Sequence, residues 1–171
     1  PYGKFSKKIF KLINFLKNKK INKFILLSSV SVYGNYSKKI NESTKTKTLN
    51  NYAKNCLAAE KICFNAFNKT KINIIVLRIA QAFGQFKIKY GIVEKILKYY
   101  LKNQKYIFNN ESLIRSYISV AKVAKILHLL IKKKTSNDLL NISNPYYIFS
   151  FKDLINKIEK ILGFNKNIIL A

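Results

Sequence analysis

The sequence predicts an α/β domain built on a parallel sheet. Three short apolar runs, KFILLSS (23–29), INIIVLRIA (72–80) and LLNIS (139–143), read as buried strands. Helical patterns of ten or more residues alternate with them, and parallel neighbours need such crossovers. At 171 residues, 49% hydrophobic and 13% aromatic, the chain has the apolar mass for a proper core.

Phe5, Ile9, Leu12, Ile13 and Leu16 form a helical stripe closed by KNKK, cations that suit a helix C-terminus. KFILLSS follows, then a polar loop from Gly34 to Leu49 and a helix from Asn50 to about Asn68. After INIIVLRIA and a loop around Gly84, Ile92, Ile96, Leu97 and Tyr100 mark another helix. YIFN (106–109) and SYISV (116–120) are short strand candidates. The helix from about 121 to 133 turns Val123, Leu127, Leu130 and Ile131 inward, leaving His128 a structural histidine. Ser150 and Asp153 form a Ser-x-x-Asp start signal for a last helix, which Gly163 ends.

The formal charge of +26 suggests nucleic acid, but the residue types argue against it. All but Arg78 and Arg115 of the 33 basic residues are lysine, spread over the whole length. Specific readers of bases and phosphates favour the bidentate guanidinium fork. Abundant Lys, Asn, Ile, Phe and Tyr reflect A/T-rich codons, so no specific nucleic-acid partner is expected.

No apolar run is long enough to span a membrane, and the first residues are too lysine-rich for a signal-peptide core. The two cysteines, Cys56 and Cys63, lie seven apart on one predicted helix. That spacing separates them by about 10 Å, beyond the roughly 7 Å that a disulfide tolerates. These features point to a reduced, cytoplasmic setting without membrane or metal. With Pro1 first and no methionine, the sequence reads as a fragment of a longer chain.

In open α/β sheets ligands bind outside the carboxyl ends of the strands. Three segments fall there or between: LLSSVSVYG (26–34), NNYAKNCLAAE (50–60) and VLRIAQAFGQ (76–85). In this order and spacing they resemble the extended short-chain dehydrogenase/reductase family, the NAD-dependent epimerases and dehydratases of nucleotide sugars, similar to UDP-glucose 4-epimerase. IRSYISVAKVAKIL (114–127) and LLNISNPYYIFSFKDLINKIEKILG (139–163) extend the likeness to most of the chain.

The resemblance implies a partial Rossmann-like, doubly wound parallel sheet with a small C-terminal substrate-binding region. It makes residues 1–171 one domain fragment, with 1–85 the later half of the Rossmann core and 86–171 mixed core and substrate-binding part. Ser29 takes the Ser/Thr position that bonds the sugar oxygen, and Tyr52 that of the general acid/base. Cys56 stands where the family has the lysine that lowers the tyrosine pKa and holds the cofactor ribose. Leu27, Ser28, Tyr52, Cys56, Ile79 and Gln81 are the implied contacts to NAD or NADP. Ser29, Ser31, Gln81 and Arg115 are the implied contacts to the nucleotide sugar, Arg115 facing its diphosphate. Gln85 replaces a common proline. The glycine-rich turn for the pyrophosphate does not occur in the sequence and would precede Pro1. A homodimer through the Tyr52 helix is a further implication.

A thiol at position 56 supplies no ammonium, and neighbouring Lys54 points to another helix face. Two functions therefore stay open: an enzyme working through Ser29 and Tyr52, or a catalytically impaired relic that keeps a cofactor or sugar-nucleotide pocket.

Overall fold

The computed structural model describes residues 4–17, 19–35, 39–68, 70–84, 91–102, 106–108, 113–133, 138–163 and 168–170. In chain order the elements are α1 (Lys4–Lys17), β1 (Lys23–Ser29), a 3-10 turn (Val30–Tyr33), α2 (Asn51–Phe67), β2 (Asn73–Ile79) and β3 (Gln81–Phe83). There follow α3 (Ile92–Leu101), β4 (Tyr106–Phe108), β5 (Arg115–Ser119), α4 (Val120–Lys132), β6 (Asp138–Ile142), β7 (Ile148–Phe149), α5 (Phe151–Leu162) and β8 (Ile168–Leu170). Gln85 and Asn109, singled out from the sequence, lie outside the described residues.

The chain divides into two units with interleaved boundaries, residues 1–79 with 126–142 and residues 80–125 with 143–171. In the first unit β1, β2 and β6 form a parallel sheet in the order β1-β2-β6. Lys23 to Ser29 pair in register with Asn73 to Ile79, and Ile75 to Ile79 with Asp138 to Ile142. The helix α2 is the crossover that parallel β1 and β2 require.

Burial corrects part of the sequence reading. Of the three expected buried strands, β2 is buried almost throughout, whereas β1 and β6 are mostly half-buried and Leu27 exposes 50% of its surface. The reason is position: among the described residues β1 and β6 are the outer strands, and β2 lies between them. On α1, Ile13 is fully buried while the expected Leu12 is exposed, and on α4 Ile131 and His128 face outward. The core of this unit joins Ile13, Leu26, Ala59, Cys63, Phe67, Ile74 and Val76. Lys23 at the start of β1 caps the end of α4, its Nζ donating to the carbonyls of Leu130 (2.5 Å), Ile131 (3.1 Å) and Lys133 (2.6 Å).

The second unit holds a three-stranded sheet, β3-β5-β7, with β7 antiparallel to β5. Its core comprises Ile96, Tyr100, Tyr117, Leu154, Ile155 and Ile158. The predicted cap of α5 is present: the Ser150 hydroxyl accepts from Asp153 N at 3.0 Å, and the Asp153 carboxylate accepts from Ser150 N. Gly163 ends that helix at φ +69°.

Candidate active site

The site is built where β1 stops being a strand. Ser29 is the last residue of β1 and the N-cap of the 3-10 turn that follows, its Oγ accepting from Ser31 N at 3.2 Å. Because Ser29 uses a lone pair for the cap, its hydroxyl proton stays available for donation. Ser31, inside the turn, has a buried hydroxyl with no hydrogen-bond partner. Gly34 closes the turn at φ +76°, a conformation that glycine adopts without strain.

Asn50 starts α2 by accepting from Ala53 N at 2.8 Å, which satisfies one of the open N–H groups of the first turn. Tyr52 lies in that turn and exposes 62% of its surface. Cys56, one turn on, is only 6% exposed and packs with Val32 and Tyr33. The Ser29 hydroxyl and the Cys56 thiol are the polar groups that act on the Tyr52 phenol. Partial desolvation and the neighbouring thiol push the Tyr52 pKa above its usual value, and Ser29 pulls the other way. The Cys56 thiol is also pushed up, first by burial and then by the charge of Glu60; its bonds to Tyr52 and Ser28 oppose this.

Below Cys56 lies a polar network. Glu60 is 2% exposed, and its Oε2 accepts from Arg78 Nη2 at 2.7 Å, while Arg78 Nε lies 3.1 and 3.2 Å from the two carboxylate oxygens. The Ser28 hydroxyl donates to Glu60 Oε1, so the Ser28 side chain is turned inward. The Arg78 guanidinium sits 4.7 Å from the Tyr33 ring centroid. Desolvation works against its charge, but Glu60 and Tyr33 prevail and raise the Arg78 pKa. The Tyr33 hydroxyl in turn donates to Asn141 Oδ1 at 2.9 Å.

Glu60, Arg78, Tyr33 and Asn141 were not among the residues marked out from the sequence. A signal was there: Glu60 interrupts the apolar stripe of α2, and Arg78 interrupts the apolar run INIIVLRIA. A carboxylate and a guanidinium at buried positions each require a partner.

The structure brings Ser28, Ser29, Ser31, Tyr52 and Cys56 together in the first unit, with Leu27 half-exposed on β1 and Ile79 half-buried at the end of β2. The remaining two marked residues belong to the second unit. Gln81 starts β3 with an exposed side chain, in register with Tyr117. Arg115 starts β5, its Nη1 donating to the carbonyl of Ile114 at 3.2 Å. Burial lowers its pKa, a shift that Tyr117 opposes.

Solved structures with the same fold include UDP-glucuronic acid 4-epimerase from Bacillus cereus, in complex with UDP-glucuronic acid and NAD (TM-score 0.90, 22% identity, 98% of this chain and 54% of that one). Another is dTDP-glucose 4,6-dehydratase from Bacillus anthracis in complex with NAD (TM-score 0.86, 17% identity, 95% and 54%). In sequence, the chain is 24% identical over 163 residues to a dTDP-D-glucose 4,6-dehydratase of Dictyostelium discoideum, covering 88% of this chain and 37% of that protein. The chain thus spans about half the length of these structures and less of that relative. The model of the NAD dependent epimerase/dehydratase family matches residues 8–143, most of the length, and the chain belongs to that family.

Proposed function

We propose that this chain carries the acid–base part of a NAD-dependent epimerase or dehydratase of nucleotide sugars. The observation that carries the reading is the position of Ser29 at the carboxyl end of β1, where its hydroxyl acts on the Tyr52 phenol in the first turn of α2. When bound, NAD⁺ supplies a hydride acceptor and a positive charge. This chain's own residues hold and move the proton. Ser29, fixed by its cap bond, donates to the sugar oxygen, and Tyr52 takes up or returns that oxygen's proton as the carbon changes oxidation state.

The residues present fit the two ligands in part. The unpartnered Ser31 hydroxyl suits a sugar hydroxyl. Leu27, Tyr52 and Ile79 would hold the nicotinamide end. Ser28 and Cys56 face the Glu60 network and support that end from behind. Gln81 is a proposed contact to cofactor and substrate, and Arg115 a proposed contact to the diphosphate. A guanidinium suits a diphosphate because two parallel N–H groups match two oxygens.

The partner proposed for the polypeptide itself is a second copy, through the helix carrying Tyr52. The exposed Phe10 and Phe15 on α1, which packs on α2, support an apolar contact there. Two cysteines without a disulfide suit a cytoplasmic location. No helix among the described residues is long and apolar enough to cross a membrane.

Cys56 favours a second reading, a protein that binds the sugar nucleotide or cofactor with little turnover. The discriminating experiment follows nicotinamide reduction in the natural full-length protein with a panel of UDP- and dTDP-sugars, beside the Cys56→Lys variant. Turnover by the natural protein supports the enzyme. Turnover by Cys56→Lys alone supports the binder, and turnover by neither rejects the enzymatic reading.

A further inference from the structure

We propose that Glu60 is the positioning residue that sets Tyr52 against Ser29, acting through Ser28 and Arg78. The inference rests on the reading of Tyr52 and Ser29 as the acid–base pair. Glu60 stands a little over two helical turns after Tyr52 on α2, and both of its carboxylate oxygens are taken. Its two donors are register partners in adjacent strands, Ser28 in β1 and Arg78 in β2. Each lies one residue before its strand's end, at Ser29 and Ile79.

The row continues across the sheet. Asn141 of β6 is the register partner of Arg78, and Tyr33 bridges the two by lying against the guanidinium and donating to Asn141 Oδ1. A line of polar side chains therefore crosses all three strands, and Glu60 ties α2 to it by an ion pair and a hydroxyl bond. Most other contacts of α2 are apolar. These are non-directional and permit small slides at little cost. A carboxylate gripped by a guanidinium and a hydroxyl has a defined geometry. A buried ion pair is a weak device for stability alone, since apolar replacements of similar volume often do as well. Its use here is to fix where the first turn of α2 meets the end of β1, and a misplacement of about 1 Å there costs on the order of 10²-fold in rate.

The test uses the natural full-length protein with Ser28→Ala and with the double variant Glu60→Gln/Arg78→Met, which removes both charges and avoids leaving one unpaired. The expected result is a kcat lower by about tenfold or more with KM within about twofold, in variants whose thermal unfolding is cooperative. A second readout does not depend on turnover: iodoacetamide modification followed by mass spectrometry at Cys56 and, as an internal control on the same helix, at the fully buried Cys63. The expected result in Ser28→Ala, which keeps the Glu60 charge that acts on both thiols, is faster modification of Cys56 with Cys63 unchanged. An unchanged kcat in both variants, or a rise at both cysteines in Ser28→Ala that signals general loosening, overturns the proposal. Should the natural protein reduce no cofactor with any sugar, the enzymatic reading fails by itself. The alkylation pattern then decides the positioning role, and an unchanged Cys56 rate in Ser28→Ala overturns it.

Discussion

Glu60 on α2 and Arg78 on β2 meet in a buried ion pair, Oε2 to Nη2 at 2.7 Å, with side chains only 3% and 6% exposed. The pair joins the helix that carries Tyr52 to the strand beside the one that ends in Ser29. Removing one partner leaves a buried charge unmatched. Glu60→Ala is expected to destabilise the protein by about 3–5 kcal/mol, and the double change Glu60→Gln/Arg78→Met by much less. Urea unfolding of the single and double variants checks this.

Cys56→Lys is expected to raise turnover and move its pH dependence. The Tyr52 pKa is raised in this chain, so the phenolate forms only at alkaline pH and the natural protein's rate should climb as pH rises. An ammonium one turn away favours the phenolate, so the rising limb of the variant's kcat profile should move to lower pH. The gain near neutrality is on the order of 10²-fold, within the range of acid–base contributions. Profiles of kcat for both proteins between neutral and alkaline pH make the comparison.

Cys63 gives a separate pH prediction. Burial, with the Glu60 charge second, pushes its thiol up from 9.0 to about 12. The folded state therefore holds this proton at pH values where the unfolded chain has lost it. The stability it contributes is full below about pH 9 and declines as pH rises toward about 12. Tyr117, also pushed up to about 12 by burial, adds to the decline from about pH 10. Denaturant midpoints should fall across this range, and Cys63→Ala should flatten the slope.

Gly34→Ala is expected to cost more than about 2 kcal/mol. Its φ of +76° with ψ of −142° suits glycine only, and an added Cβ would strike the Lys47 carbonyl oxygen and the Leu49 side chain. Lys47 N bonds Val32 O at 2.9 Å, so the clash falls on the turn that follows Ser29. Thermal unfolding measures the loss, and a lower kcat in the folded fraction would report the displaced serine.

What could be read from the residues was what recurs along the chain. Among the described residues, the five helices follow periodic signals, β1, β2 and β6 continuous apolar runs, and the capping box at Ser150 a paired signal. The 3-10 turn at Val30–Tyr33 and the strands β3 and β7 are two to four residues long, too short for a period to show. Leu12 and Ile131 were misplaced because an apolar residue on a helix does not reveal how wide a stripe its neighbours cover. Ser29, Tyr52 and Cys56 were legible as a set only through resemblance, since a serine after a strand and a tyrosine on a helix carry no chemistry alone. The pairing of Glu60 with Arg78 spans 18 residues and needed the fold to reveal it.

Along α2, three successive turns do three different jobs: Tyr52 faces outward, Cys56 fills space against Val32 and Tyr33, and Glu60 grips the sheet. Position 56 makes no ion pair, so folding does not require a cation there. Selection for a stable fold and selection for a fast reaction thus act on different residues of one helix, and a lineage can relax the second while still being held to the first.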